Sequence, residues 1–126
     1  MWNADLSGSN LTGALMTASI SESLFDGAVL DSANASGTYG WFARLINASI
    51  VGADFSGASL YASDWSYSTV TGVDFTNTDL WSARFSGATL SGNVWSNTFC
   101  PSGVNSDDNG GNCNGQFTHG APAVEG

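Results

Sequence analysis

The sequence contains no lysine, and its two arginines face eleven acidic residues, which gives a net charge of −9. A surface of this charge repels nucleic acid and anionic membranes, so we expect no direct nucleic-acid ligand. Charged residues of both signs make up only 10% of the chain, well below the usual quarter. No apolar run approaches the ~18 residues that span a bilayer. The chain does not open on a basic segment followed by an apolar one, so we expect neither membrane insertion nor a signal peptide.

Residue types that carry out catalysis are equally scarce. His119 is the only histidine, and the absence of lysine excludes a Schiff base on that side chain. The sequence shows no phosphate-binding glycine loop, no cluster of metal ligands and no cofactor motif. We therefore expect a protein that is not an enzyme and that carries no cofactor.

What the sequence has instead is a period of five. Ala35, Gly40 and Cys100 interrupt a series of large apolar residues at every fifth position, and before Leu15 the period slips by one position. Two positions before each large residue lies a small one, usually alanine, and two positions after it glycine is frequent. The large residues are Leu15, Ile20, Phe25, Leu30, Leu45, Ile50, Phe55, Leu60, Trp65, Val70, Phe75, Leu80, Phe85, Leu90 and Trp95.

This period fits neither a helix nor an ordinary strand, which repeat at about 3.6 and about 2 positions. Within each quintet, however, the small and the large residue are two apart, as on one face of a strand. Each quintet is thus interpreted as one short extended side of a coil, and four such sides close one turn. Successive turns would stack about 4.8 Å apart, like the strands of a sheet.

The repeat resembles that of a known family. The stretches NADLS at residues 3–7, ADFSG at 53–57 and ARFSG at 83–87 are similar to the A-(D/N)-L-x-x unit of pentapeptide-repeat proteins. The resemblance covers residues 4–100 and implies an all-β fold, a right-handed quadrilateral β-helix of about five coils. Gly40 departs from it, and we expect a local distortion there, with Phe42 or a neighbour filling the hole.

Residues 101–126 lack the period and are predicted to form an irregular C-terminal cap, of which residues 117–126 look like a linker or free end. A disulfide between Cys100 and Cys113 would pin this tail over the end of the solenoid, with about 3 kcal/mol of stabilisation. The tail is similar to those of some exported pentapeptide-repeat proteins. A disulfide implies an extracellular or periplasmic location, whereas two reduced thiols would fit the cytoplasm.

The tail also contains a weak match to a calcium loop. Asn105, Asp107 and Asn109 have the spacing of its first half, but Gln116 stands where the loop needs a bidentate glutamate. Turn formation explains the same residues, so we predict no metal site and keep calcium as a weak alternative.

Three outward positions, equivalent in successive coils and four quintets apart, hold large aromatic residues: Trp41, Tyr61 and Trp81. They form either a contact strip for a partner or a stack that only joins the coils. Asp54 and Asp74 are stacked in the same way without a cation between them, which marks either a site for a cation or basic partner or a solvated face.

These features predict an exported structural or interaction module that self-associates, as a dimer or filament, through an open solenoid end or the aromatic strip. A separate protein partner is an alternative to a second copy. The family resemblance implies one alternative, an acidic mimic of DNA that binds a DNA-processing enzyme such as gyrase. A minor alternative is ice binding by the hydroxyl-rich segments 49–51, 69–71 and 89–91.

Overall fold

The computed structural model describes residues 3–124, so residues 125 and 126 of the predicted tail lie outside it. Its regular elements are short: β1 is Ser49–Val51, β2 is Thr69–Thr71, β3 is Thr89–Ser91, and one 3-10 helix is Ser106–Asp108. The three strands form one parallel sheet in the order β1-β2-β3. Each residue pairs with the residue four quintets further on, as Ser49 does with Thr69.

Isolated parallel bridges carry the same spacing around the rest of the repeat. Together with the strands they form four ladders. The first ladder holds residues 24, 44, 64 and 84, and the second holds residues 29, 49, 69 and 89. The third holds residues 34, 54, 74 and 94, and the fourth holds residues 39, 59, 79 and 99. Since each turn of the chain visits all four ladders, the arrangement is consistent with the predicted quadrilateral β-helix. The fold is rich in extended chain and has almost no helix.

The large residue of each quintet points inward, as the period predicts. From Ile20 to Cys100 every large member of the series is buried. Aromatic rings continue the coil-to-coil register through the core: Trp65 stacks on Phe85 with ring centroids 5.6 Å apart, and Phe75 stacks on Trp95 at 4.8 Å. The core is therefore a long column of side chains rather than a central cluster.

The phase of the first coil differs from the prediction, which placed Leu15 in the core. Leu15 is 73% exposed, whereas Met16 is 3% exposed and occupies the inward position. The bridges agree, because Leu15 pairs with Asn34, one position short of a full coil, whereas Ser19 pairs with Tyr39, a full coil further on. The slip by one position thus lies after Met16 rather than before Leu15, and the prediction for Leu15 is wrong.

This corrected phase predicts that alanine substitutions at two neighbouring positions change the free energy of unfolding by very different amounts. Met16→Ala removes a buried side chain and should lower the free energy of unfolding by about 2 kcal/mol. Leu15→Ala removes an exposed one and should change it by less than about 0.5 kcal/mol. Chemical denaturation of both variants measures the difference, and a larger loss for Leu15→Ala would restore the original phase.

The expected distortion at Gly40 is also absent. The ladder through Tyr39 continues to residues 19 and 59, and the Gly40 amide donates to the Ser59 carbonyl at 2.7 Å. Neighbouring side chains fill the space: a Cβ on Gly40 would lie 2.6 Å from Leu60 Cδ2 and 3.3 Å from Ile20 Cγ1. Phe42 does not enter the core and is exposed.

The C-terminal tail packs against the last coil. Cys100 and Cys113 are both buried and are joined by the predicted disulfide. Phe117 is buried too, with its ring 5.4 Å from that of Phe85 and 6.2 Å from that of Trp95. Because Phe117 belongs to the core, the expectation of a linker or free end over residues 117–126 is wrong for this part of the tail.

Backbone hydrogen bonds complete this contact. In earlier coils the amide of a large residue donates to a carbonyl of the next coil, as Trp65 does to Arg84 at 2.7 Å. In the last coil the amide of Phe85 donates to Gly120 at 3.3 Å, and that of Leu90 donates to Val124 at 3.0 Å. The tail carbonyls therefore accept bonds that a further coil would otherwise accept.

Candidate functional site

One wall of the solenoid carries most of the exposed aromatic side chains. It is the wall of the fourth ladder, and we call its aromatic residues the aromatic face: Tyr39, Trp41, Phe42, Tyr61, Trp81 and Phe99. The structure brings together the three residues that the sequence predicts for a contact strip. The ring centroids of Trp41 and Tyr61 are 6.3 Å apart, and those of Tyr61 and Trp81 are 5.9 Å apart, both edge to face.

These rings contact one another and still face solvent. Trp41 is 49% exposed and Trp81 is 53% exposed, although each touches Tyr61. Each edge-to-face pair contributes about 0.5–1.5 kcal/mol, and the Trp41 indole Nε1–H donates to Ser59 Oγ at 2.6 Å. The contacts hold the rings in place without covering them, so stacking between coils and availability to a partner coexist.

Only three of the six residues of this face are predicted from the sequence as a contact strip. Tyr39 and Phe99 lie on the ladder next to the predicted strip, separated by three full coils and thus in register. That spacing could have identified the two residues as members of one column. The column is hard to recognise in the sequence, because a serine and an aspartate lie between them on the ladder. The sequence suggests Phe42 or a neighbour as the side chain that fills the hole at Gly40, but the Phe42 ring lies 5.9 Å from that of Tyr61.

The tail adds a groove at the C-terminal end of the aromatic face. Its volume is about 600 Å³, and its walls are Asp79, Trp81, Phe99, Ser102, Gly103 and Val104. Gly103 brings the tail backbone against the indole, because a Cβ built there would lie 3.4 Å from Trp81 Nε1. The groove could not be found from the sequence, since half of its lining comes from the aperiodic segment.

The structure places Asp54 and Asp74 side by side on the third ladder. In each, Oδ1 accepts the amide hydrogen of the residue two positions on, at 2.9 Å. Asn34, one coil earlier, makes the same bond to Ser36 at 3.1 Å. This bond closes a turn of the repeat, and it accounts for an aspartate or asparagine here whether or not a cation binds.

The weak calcium match shows a similar pattern of internal bonds. Asn105 Oδ1 accepts from the Asp107 amide, and Asp107 Oδ1 accepts from the Asn97 amide at 3.0 Å. Asn109 Nδ2 donates to the carbonyls of Asn112 and Asn114. Among residues 3–124, no group of three or more histidine, cysteine, aspartate or glutamate residues could hold a metal ion.

The hydroxyl-rich segments pair in register as β1, β2 and β3, and Thr71 Oγ1 lies 3.2 Å from Ser91 Oγ. Val51 interrupts the row of hydroxyls.

On the first ladder Arg44 forms an ion pair with Asp26, with 2.9 Å between nitrogen and oxygen. The one helical segment in residues 3–124 is the short 3-10 helix, and nothing helical there could cross a bilayer.

Comparison with known families and structures gives a consistent result. The family model described as pentapeptide repeats matches eight copies, over residues 23–60 and 53–92. A solved pentapeptide repeat protein from the thylakoid lumen of Arabidopsis thaliana is 27% identical, with a TM-score of 0.65. That match covers 97% of this chain and 81% of the plant protein.

Two other solved structures resemble the chain less closely. HetL, a pentapeptide repeat protein involved in heterocyst differentiation regulation in the cyanobacterium Nostoc sp., is 20% identical with a TM-score of 0.41; the match covers 82% of this chain and 65% of HetL. QnrB1, a plasmid-mediated fluoroquinolone resistance protein, is 18% identical with a TM-score of 0.43; the match covers 73% of this chain and 51% of QnrB1. No curated protein sequence gives a match.

Proposed function

Because the chain belongs to the pentapeptide repeat family, we propose that it is a non-catalytic interaction module that associates with a second copy of itself through the aromatic face. One observation carries the proposal: six aromatic side chains share one wall, and five of them are among the exposed large hydrophobic residues. The repeat itself requires no large side chain at outward positions. Aromatic residues are enriched at the centres of protein interfaces, where they contribute most of the binding energy.

The distribution of charge favours a second copy as the occupant. The aromatic face occupies three columns, which start at residues 19, 21 and 22 and repeat every 20 residues, and the only charged residues on them are Glu22 and Asp79. The rest of the chain, including the tail, carries −7 of the net charge of −9. Two copies therefore meet with least electrostatic repulsion across the aromatic face. Pairing of the same face on both copies gives a closed dimer, whereas head-to-tail pairing of solenoid ends would give a filament.

The proposal also covers the architecture of the module and its location. We take the solenoid as right-handed, with about five coils, and the tail as its C-terminal cap. Phe117 on the core and the tail carbonyls on the last coil support the cap. We also place the protein in an oxidising compartment outside the cytoplasm. The Cys100–Cys113 disulfide and a relative from the thylakoid lumen support this location.

Trp81→Ala tests the contact surface. Loss of this aromatic side chain should weaken self-association by about 2 kcal/mol, or roughly thirtyfold in the dissociation constant. Sedimentation velocity over a range of concentrations measures that constant. Tyr67→Ala is the matched control, because Tyr67 is exposed, lies on another part of the coil and has a φ of 60°, which Ala62 also adopts at 56°.

The control variant should associate like the unaltered protein. If Trp81→Ala associates as strongly as Tyr67→Ala, the aromatic face is not the contact. If Trp81→Ala still associates, and the size of the assembly keeps growing with concentration, the contact lies at the solenoid ends instead.

A further inference from the structure

We propose that the groove beside Trp81 binds a small organic cation, of which a quaternary ammonium group is the best fit. The groove, at about 600 Å³, lies within the size range of small-molecule sites. Its lining combines two aromatic rings with one carboxylate. The inference concerns a ligand of the single chain and does not rest on self-association.

The two rings supply the apolar part of the site. Trp81 and Phe99 line the groove and are both about half exposed, and Val104 adds an aliphatic side chain. The face of an indole or phenyl ring attracts a cation through its quadrupole, and tryptophan does so most strongly. Methyl groups around a quaternary nitrogen also gain from contact with such apolar walls, which water cannot offer them.

Asp79 supplies the charge. Its Oδ1 accepts the Trp81 amide hydrogen at 3.0 Å, which closes the turn. Its Oδ2 has no hydrogen-bond partner among the described residues and remains available to a ligand. Phe99 is the partner of Asp79 on the ladder, and Trp81 follows it by two positions. Asp79 is therefore the neighbour of both ring-bearing residues, of Phe99 across the ladder and of Trp81 along the chain.

No cation of the protein neutralises this carboxylate. The only ion pair among residues 3–124 joins Arg44 to Asp26, and both arginines belong to the first ladder rather than to this wall. The chain has no lysine, and its net charge of −9 raises the local concentration of cations. An organic cation thus meets an uncompensated charge as well as two rings.

Other ligand classes fit the groove less well. An anion would be repelled by Asp79, and a metal ion would find a single carboxylate where it needs several ligands. A sugar needs several hydrogen-bonding groups, but the Ser102 hydroxyl already donates to Gln116 Oε1 at 2.7 Å and accepts from the Val104 amide at 3.2 Å. The remaining lining is mainly apolar.

Choline and its neutral isostere 3,3-dimethylbutan-1-ol test the proposal, because they differ in the charge of one atom. Each is titrated into the ¹⁵N-labelled protein, with sodium chloride as the control for ionic strength. The indole N–H resonance of Trp81 reports binding in NMR spectra. The titration uses a protein concentration at which light scattering gives the monomer mass, so failure of the self-association proposal does not affect the result. We expect choline to bind at least about tenfold more tightly than the isostere.

Asp79→Asn then tests the carboxylate. Asparagine can close the same turn, as Asn34 does, so this variant should keep its fold. Asp54→Asn is the matched control, because it makes the same change at the same repeat position on another wall. We expect choline affinity to fall about tenfold in Asp79→Asn and to stay unchanged in Asp54→Asn. Equal binding of choline and the isostere, no response of Trp81 to choline, or unchanged affinity in Asp79→Asn would each overturn the proposal.

Discussion

Trp65→Ala is expected to lower the free energy of unfolding by about 3–5 kcal/mol, the range for truncating a large aromatic residue in a packed core. Trp65 is completely buried. Its ring lies 5.2 Å from Phe55 and 5.6 Å from Phe85, and its indole Nε1–H donates to Ser63 Oγ at 2.7 Å. The substitution therefore leaves a cavity between adjacent coils and a buried hydroxyl without its donor.

Denaturant unfolding, followed by circular dichroism, measures this loss. Trp41→Ala is the matched control, because it removes the same side chain from the surface, where Trp41 makes one edge-to-face ring contact with Tyr61 and one hydrogen bond. We expect the control to lose no more than about 1.5 kcal/mol. Equal losses in the two variants would contradict the assignment of inward and outward columns.

The second large effect concerns the disulfide. Replacing both Cys100 and Cys113 by alanine should cost about 3 kcal/mol, because the bridge closes a loop of this length in the unfolded chain. Besides lowering the free energy of unfolding, the substitution should release the tail from the last coil. Once the tail detaches, the amides of Phe85, Gly87 and Leu90 lose the carbonyls of residues 120, 121 and 124 as acceptors.

Hydrogen exchange of those three amides measures the detachment. The amides of Phe25 and Leu45, which donate to the next coil, serve as internal controls. We expect protection to fall at residues 85, 87 and 90 and to persist at the two controls. If all five amides keep their protection and the unfolding midpoint does not change, the tail docks without the disulfide and the cap does not depend on it.

Most of the fold can be predicted from the period of five. It predicts that residues four quintets apart are neighbours, and Ser49, Thr69 and Thr89 pair in that way. It also predicts which side chains are buried, because small and large residues alternate with polar ones. The pattern is strong because a solenoid repeats one local solution many times, so local sequence determines long-range contacts.

Where local sequence is ambiguous, the prediction fails. Leu15 and Met16 are adjacent and both apolar, so either could continue the series, and only the pairing with the second coil decides between them. Gly40 lacks a side chain, and the neighbours that fill its place come from the coils above and below. The tail has no period, so neither the packing of Phe117 nor the groove beside Trp81 could be predicted from spacing.

If the aromatic face joins two copies of the chain, the mass of the oxidised protein in solution must depend on its concentration. Light scattering over a range of concentrations gives that mass. We expect a rise from the 13.0 kDa monomer toward twice that value, with the disulfide intact. A constant mass of 13.0 kDa at every concentration would contradict it.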